Sequence, residues 1–162
     1  MHIALYTLNA WSCARPLLRA LAQALVLALA LSSPARAHTA DTTARNEALV
    51  KQAYERWAAG QGGVFELLSP DVQWTVHGCG EAAGTYRGVD DFLNRAAAPL
   101  TRRLATPLVP RVHHLWAVGD RVIVRFEASA TTTSGAPYRN QYVWILRLRD
   151  GSIIEAEAFL DL

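Results

Sequence analysis

Three observations predict an α+β domain in which helices cover one face of a curved, mostly antiparallel sheet. Residues 121–131, 138–148 and 153–161 alternate apolar and polar side chains. Turn residues separate these runs, Ser134-Gly135-Ala136-Pro137 and then Arg149-Asp150-Gly151-Ser152. Period-two alternation bounded by such turns describes a meander with one dry and one wet face. Nearer the amino terminus, Leu49, Val50, Ala53, Tyr54 and Trp57 recur at helical spacing. Helices first and strands afterwards give the α+β class.

The chain of 162 residues opens on a segment that resembles a targeting signal. Arg15 and Arg19 precede an apolar run from Ala20 to Leu31, interrupted by Gln23, and Ala35-Arg36-Ala37 supplies a small-x-small site. This layout predicts a signal peptide over 1–37, cleaved after Ala37, and a periplasmic or secreted mature protein. The run is near a dozen residues, whereas about 20 are needed to span a bilayer. Removing Arg15, Arg19 and Arg36 leaves 13 basic side chains against 14 acidic ones. That balance gives no electrostatic footprint for nucleic acid or for an anionic membrane surface. The remaining length suits one domain with a single core, 44–162, after a short polar lead over 38–43. Cys79 is then the lone thiol, so no internal disulfide can form, and free cysteine is most often buried.

In chain order, Thr43 is placed to cap the first helix and Gly60 to end it. A short helix follows over 64–68, stopped by Ser69-Pro70, and residues 72–77 alternate as a strand. Gly78, Gly80 and Gly84 mark a loop, and Gly88 precedes a third helix whose first turn carries Asp90 and Asp91, complementing its dipole. Pro99 and Pro107 bracket the exit of that helix. Residues 111–118 form a strand joined to the meander through Gly119-Asp120.

Strand parity separates two faces of the sheet. Val122, Val124, Phe126 and Ala128 share one face with Asn140, Tyr142, Trp144, Leu146 and Leu148, and with Ile154, Ala156, Ala158 and Leu160. The opposite face carries Arg125, Arg147 and Arg149 with Glu127, Glu155 and Glu157, a set suited to cross-strand pairing on a solvated or dimer-forming surface. On the first face Ala156 and Ala158 stand among Trp74, Phe126, Tyr142 and Trp144. Small residues beside large ones either interdigitate or leave a cavity, and both readings stay open. A cavity would take a small, mainly apolar molecule, with Tyr54, Trp74, His77, Phe126, Tyr142 and Trp144 as candidate contacts. Asn140 is the polar candidate, because a buried amide needs partners. His113 and His114 are adjacent on a strand, so one faces each way. His114 shares parity with Val112 and Trp116, and an inward imidazole there could act as a base near neutral pH. His77, Cys79 and the His113-His114 pair show no compact metal-ligand spacing, and no metal or cofactor is implied.

Four segments together resemble a known family. They are the stretch from Glu47 through Tyr54 and Trp57 to Gly60, Leu68-Ser-Pro-Asp71-Val-Gln-Trp74, Gly84-Thr-Tyr86-Arg-Gly88, and Leu148-Arg-Asp-Gly151-Ser-Ile-Ile-Glu155. In order and spacing they are similar to the SnoaL-like branch of the nuclear transport factor 2-like superfamily. The resemblance implies a cone-shaped domain, a curved sheet wrapped by about three helices around a pocket, and commonly a homodimer formed through the sheet. Its relatives include polyketide cyclases, ketosteroid isomerases and epoxide hydrolases, so the fold alone does not name a reaction. Aligned on Gly60, the isomerase tyrosine falls on Ala53, its general-base aspartate near Val76 and its protonated aspartate near Trp144. None of these can exchange a proton with a substrate. The cyclases use a pocket aspartate, for which Asp161 is the counterpart near the end of the last strand, although its parity opposes Ala158. Two functions remain open. One is an exported isomerase, cyclase or hydrolase using general acid/base chemistry through His114, Asn140 and Asp161. The other is a non-catalytic ligand-binding or dimerising module.

Overall fold

The structure is a computed structural model that describes residues 34–161, with side chains from Thr39 to Leu160. The expected signal segment lies almost wholly outside the described residues. Helix α1, Pro34–Ala58, begins well before Thr43 and runs through the stretch expected as a polar lead. Thr43 is therefore inside the helix. Its hydroxyl donates to the Thr39 carbonyl at 2.8 Å and accepts the Gly119 N–H at 3.0 Å. Asn46, buried one turn on, donates to the Gly119 carbonyl at 3.4 Å. These bonds tie α1 to a sheet turn, and Val50, Ala53 and Tyr54 continue the same buried stripe. Gly60, at φ 70°, ends the helix in the left-handed conformation that glycine adopts without steric cost.

A single 3₁₀ turn, Val64–Leu67, replaces the second helix and leads directly into β1, Leu68–Val76. Pro70 lies inside this strand, where pairing with the last strand breaks register between Leu68 and Gln73. Because proline cannot donate to a ladder, the irregularity falls at the residue that requires it. The glycine loop shelters a short strand, β2, Gly84–Arg87, antiparallel to β1. Four residues carry too little alternation to be seen in sequence.

The next helical run comprises α2, Val89–Phe92, a π turn, Leu93–Ala97, and α3, Ala98–Thr101. Pro99 lacks an N–H and its ring crowds the carbonyl four residues back, so the preceding turn widens until the Ala98 N–H reaches the Leu93 carbonyl. Among the described residues there are thus two long helical segments and a single turn where three helices were expected.

Strands β3, Val109–Val118, β4, Arg121–Thr131, β5, Pro137–Arg149, and β6, Ser152–Asp161, complete a six-stranded sheet of order β2-β1-β6-β5-β4-β3. All neighbours are antiparallel except β1 and β6. The β5–β6 hairpin turns on Asp150 (φ 51°) and Gly151 (φ 84°), the pair of positive dihedrals that a two-residue turn matched to strand twist requires.

Burial follows the expected parity on β4 and β5, and large side chains sit beside small ones. Trp144 pairs with Val124 on one side and Ala158 on the other, while Trp74 pairs with Ala156. One assignment changes. A register shift between Arg147 and Leu148 sets Ile153, not Ile154, opposite Leu148 and buries it.

Candidate functional site

The inner sheet face and the segments opposite it enclose a cavity of about 1190 Å³. Its wall is largely aromatic because six of the surrounding elements contribute a ring. Trp57 ends α1, Phe65 lies in the 3₁₀ turn, Trp74 on β1, Phe92 on α2, Phe126 on β4 and Trp144 on β5. Trp74 and Phe92 stack at 4.2 Å, and Trp144 stacks against Trp57 and Phe65, each at 5.9 Å. Trp144 meets Trp74 and Phe126 nearly at right angles, both at 4.9 Å. Such edge-to-face contacts add to apolar burial and fix ring orientation.

Of the side chains picked from sequence, Trp74, Phe126, Tyr142 and Trp144 border the cavity. Tyr54 lies behind the wall, its ring 5.1 Å from Phe126. Its hydroxyl and the Trp144 Nε1 are buried without a hydrogen-bond partner among the described residues. Desolvation pushes the Tyr54 phenol well above its ordinary pKa. The indole N–H has no open surface.

Asn140 is buried but does not border the cavity. Its Oδ1 accepts the Gln141 N–H at 2.8 Å and its Nδ2 donates to the Tyr138 hydroxyl at 3.5 Å. Tyr138 and Tyr142 both border the cavity, and their hydroxyls share a hydrogen bond of 2.7 Å. Burial first, and then this bond, push the Tyr142 phenol far above its ordinary range.

The histidines go elsewhere. The β3–β4 ladder shifts register between Val112 and His114, and all three residues of the shared parity, Val112, His114 and Trp116, are exposed. The inward imidazole expected at His114 is therefore corrected: that ring stacks on Trp116 at 5.1 Å, on the outer face. His113, half-buried, sits 3.6 Å from Glu127. His77 is also outside the cavity, stacked on Phe159 at 4.3 Å and 3.0 Å from Glu157. Asp161 pairs in register with Gln141, and its side chain lies outside the described residues. Cys79, expected to be buried, is exposed beside Gly78.

Among the described residues, charge in the lining lies at the rim. Among the described residues the cavity borders one carboxylate, Glu81, which is 78% exposed and bonded to Arg103 at 3.2 Å. Arg95 also reaches the lining, over the Tyr86 ring at 5.4 Å and bonded to Asp91 at 2.8 Å. That guanidinium holds the Asp91 carboxyl below its ordinary pKa. No group of three potential metal ligands occurs among the described residues.

Several lining residues were not picked from sequence. Tyr138 shares parity with Asn140 and Tyr142, so the alternation of β5 contained its signal. Trp57 stood on the α1 stripe as a core residue. Phe65 and Phe92 lie on segments too short for any period, and Arg95 is placed by a π turn that sequence alone does not reveal.

Comparison with known proteins places this arrangement. No curated protein matches the chain. Among solved structures, an NTF2-like protein from Burkholderia thailandensis is 22% identical, with a TM-score of 0.57, covering 72% of this chain and 90% of its own. A provisionally assigned SnoaL-like polyketide cyclase from Jannaschia sp. CCS1 is 20% identical, with a TM-score of 0.60 and coverage of 74% and 88%. AclR from Streptomyces galilaeus, provisionally assigned as a hydroxylase, is 20% identical with a TM-score of 0.60 and coverage of 74% and 90%. These likenesses establish the α+β fold of NTF2-like proteins. Residues 50–156, most of the sheet and its aromatic wall, match the SnoaL-like domain, and the chain belongs to that family.

Proposed function

We propose that this chain binds a small, mainly apolar molecule in the aromatic cavity and does so without general acid/base turnover. The observation that carries the reading is the cavity's inventory. About 1190 Å³ is walled by rings and aliphatic side chains, with a hydrogen-bonded tyrosine pair in the lining and, among the described residues, charge only at the rim. Ligand sites are commonly built this way, apolar with a few convergent polar groups. A cyclase or isomerase needs a group that accepts a proton beside the substrate. His114 and His77 lie on the outer face, Glu81 is exposed and paired, and the raised Tyr142 phenol stays protonated through neutral pH.

Two further parts complete the proposal. Export rests on the signal-like segment, and predicts that the processed protein begins at His38, which N-terminal sequencing of periplasmic or secreted material would read. Pairing of two copies through the outer sheet face rests on Trp116, Val118 and Phe159, which are 50%, 70% and 41% exposed. Large apolar side chains exposed on one sheet face suit an interaction surface.

Native mass spectrometry of the purified chain tests the central claim. A copurifying apolar molecule, or uptake of added 2-acetylnaphthalene, is expected. Ala158→Phe, which fills cavity space beside Trp144, should abolish it. A wild-type chain that neither carries nor takes up such a molecule would show the reading to be wrong.

A further inference from the structure

Cα atoms four residues apart on a strand are separated by about 13 Å, yet the Tyr138 and Tyr142 hydroxyls lie 2.7 Å apart. The two rings must lean toward one another across the position of Asn140, which shares their face of β5. Ala128 and Ala130, paired with Asn140 and Tyr138, are small enough to allow it. Phe126 holds the Tyr142 ring by stacking at 4.8 Å and 11°.

The hydrogen bonds fix which way the polar atoms point. Of the two Asn140 amide atoms only the oxygen can accept the Gln141 N–H, at 2.8 Å, so the amide nitrogen is the atom facing Tyr138. That nitrogen only donates, and it occupies acceptor capacity on the Tyr138 oxygen. The tyrosine pair owns two hydroxyl protons, and the bond between them uses one. Whichever tyrosine donates, one O–H remains without an acceptor among the described residues, and both tyrosines border the cavity. Leaving such a donor unmet when a ligand excludes water is costly.

We infer that the Asn140-Tyr138-Tyr142 chain is a specificity device that selects apolar ligands bearing a neutral hydrogen-bond acceptor, such as a ketone, ester or lactone carbonyl, and presents one hydroxyl donor to that group. The inference rests on the cavity-binding reading and deepens it. Tyr138 and Tyr142 touch the ligand, and Asn140 is a positioning residue that offers the pair a donor and no acceptor, so that one O–H stays available.

Matched probes test it. 2-Acetylnaphthalene and 2-ethylnaphthalene have nearly the same shape and differ in the carbonyl. Calorimetric titration of the purified chain should give about three- to tenfold tighter binding of the ketone, the span of one net hydrogen bond. In the Tyr138→Phe/Tyr142→Phe double variant the two probes should bind equally, and continued binding of 2-ethylnaphthalene reports an intact cavity. Asn140→Asp replaces the donating nitrogen by an accepting oxygen. In mildly alkaline buffer, with that carboxylate ionised, it accepts the spare O–H and preference shifts from the ketone toward 1-(2-naphthyl)ethanol. Equal wild-type affinity for ketone and ethyl probe, or a ketone preference surviving in the double variant, would overturn the inference while leaving the cavity reading intact. Binding of neither probe would overturn both. An unchanged order of preference in Asn140→Asp would remove Asn140 from the device.

Discussion

The two faces of one sheet divide the labour of this protein. On the inner face, Trp74, Phe126 and Trp144 interlock with residues as small as Ala156 and Ala158, and the polar atoms present are either sealed behind rings or joined in the Tyr138-Tyr142 pair. On the outer face, charge is spread through pairs such as Arg147–Glu155 and Arg111–Glu127, and imidazoles lie flat on exposed aromatics. The same strands build both surfaces, so the contrast comes from side-chain parity and not from backbone. It teaches where energy and selectivity reside: in tight packing and few donors inside, and in weak, exchangeable contacts outside.

The largest expected effect lies in the inner wall. Trp74 is fully buried, stacked on Phe92 and perpendicular to Trp144. Trp74→Ala should cost about 3–5 kcal/mol in denaturant unfolding. A loss under 1 kcal/mol would mean that the wall can collapse, and that the cavity is not held open by it.

The two alanines of β6 sharpen the comparison within the inner face. Ala156 is buried between Leu146 and Trp74, whereas Ala158 borders the cavity. Ala156→Leu should therefore destabilise by about 1–3 kcal/mol through overpacking. Ala158→Leu has space to enter and should cost little stability while weakening ligand binding. Equal costs at the two positions would erase the distinction between filled core and cavity.

Alkaline pH probes the sealed phenols. Tyr54 and Tyr142 both have pKa values raised by burial. The unfolded chain ionises its tyrosines near pH 10, so stability from keeping these two neutral is complete below about pH 10 and is lost as pH rises above it. Denaturation midpoints should fall above that point, less steeply in Tyr142→Phe. Outside, Trp116→Arg with Phe159→Arg should leave the fold intact and convert a dimer to monomer in analytical ultracentrifugation. A wild-type chain already monomeric would remove that role from the outer face.

Much of this contrast was legible before any coordinates. Alternation on β4 and β5 assigned every inner residue correctly, because parity is a local property that two flanking turns anchor. It failed where register slipped. The shift at Arg147-Leu148 exchanged Ile153 for Ile154, and the shift at Val112-His114 accompanies a row of exposed side chains on an edge strand. Burial depends on what lies opposite, and β3 ends the sheet. The site was half legible for the same reason. Its sheet residues followed from period two, while Phe65, Phe92 and Arg95 arrive from short turns whose placement is set by tertiary packing.

The smallest expected effect is the most discriminating for the outer face. Arg147 donates to Glu155 at 2.7 Å, with both side chains a little under one-third exposed. If the face is open to water, a double-mutant cycle with Arg147→Ala and Glu155→Ala should give a coupling of about 0.2–1 kcal/mol, reduced further by salt. If two copies close over it, removal of one partner strands the other in a dry interface, and single-variant losses rise to about 2–5 kcal/mol. Measuring the cycle above and below the concentration at which the chain associates separates these cases in one protein. A coupling that stays small at every concentration would leave the outer face solvated and confine the function to the cavity.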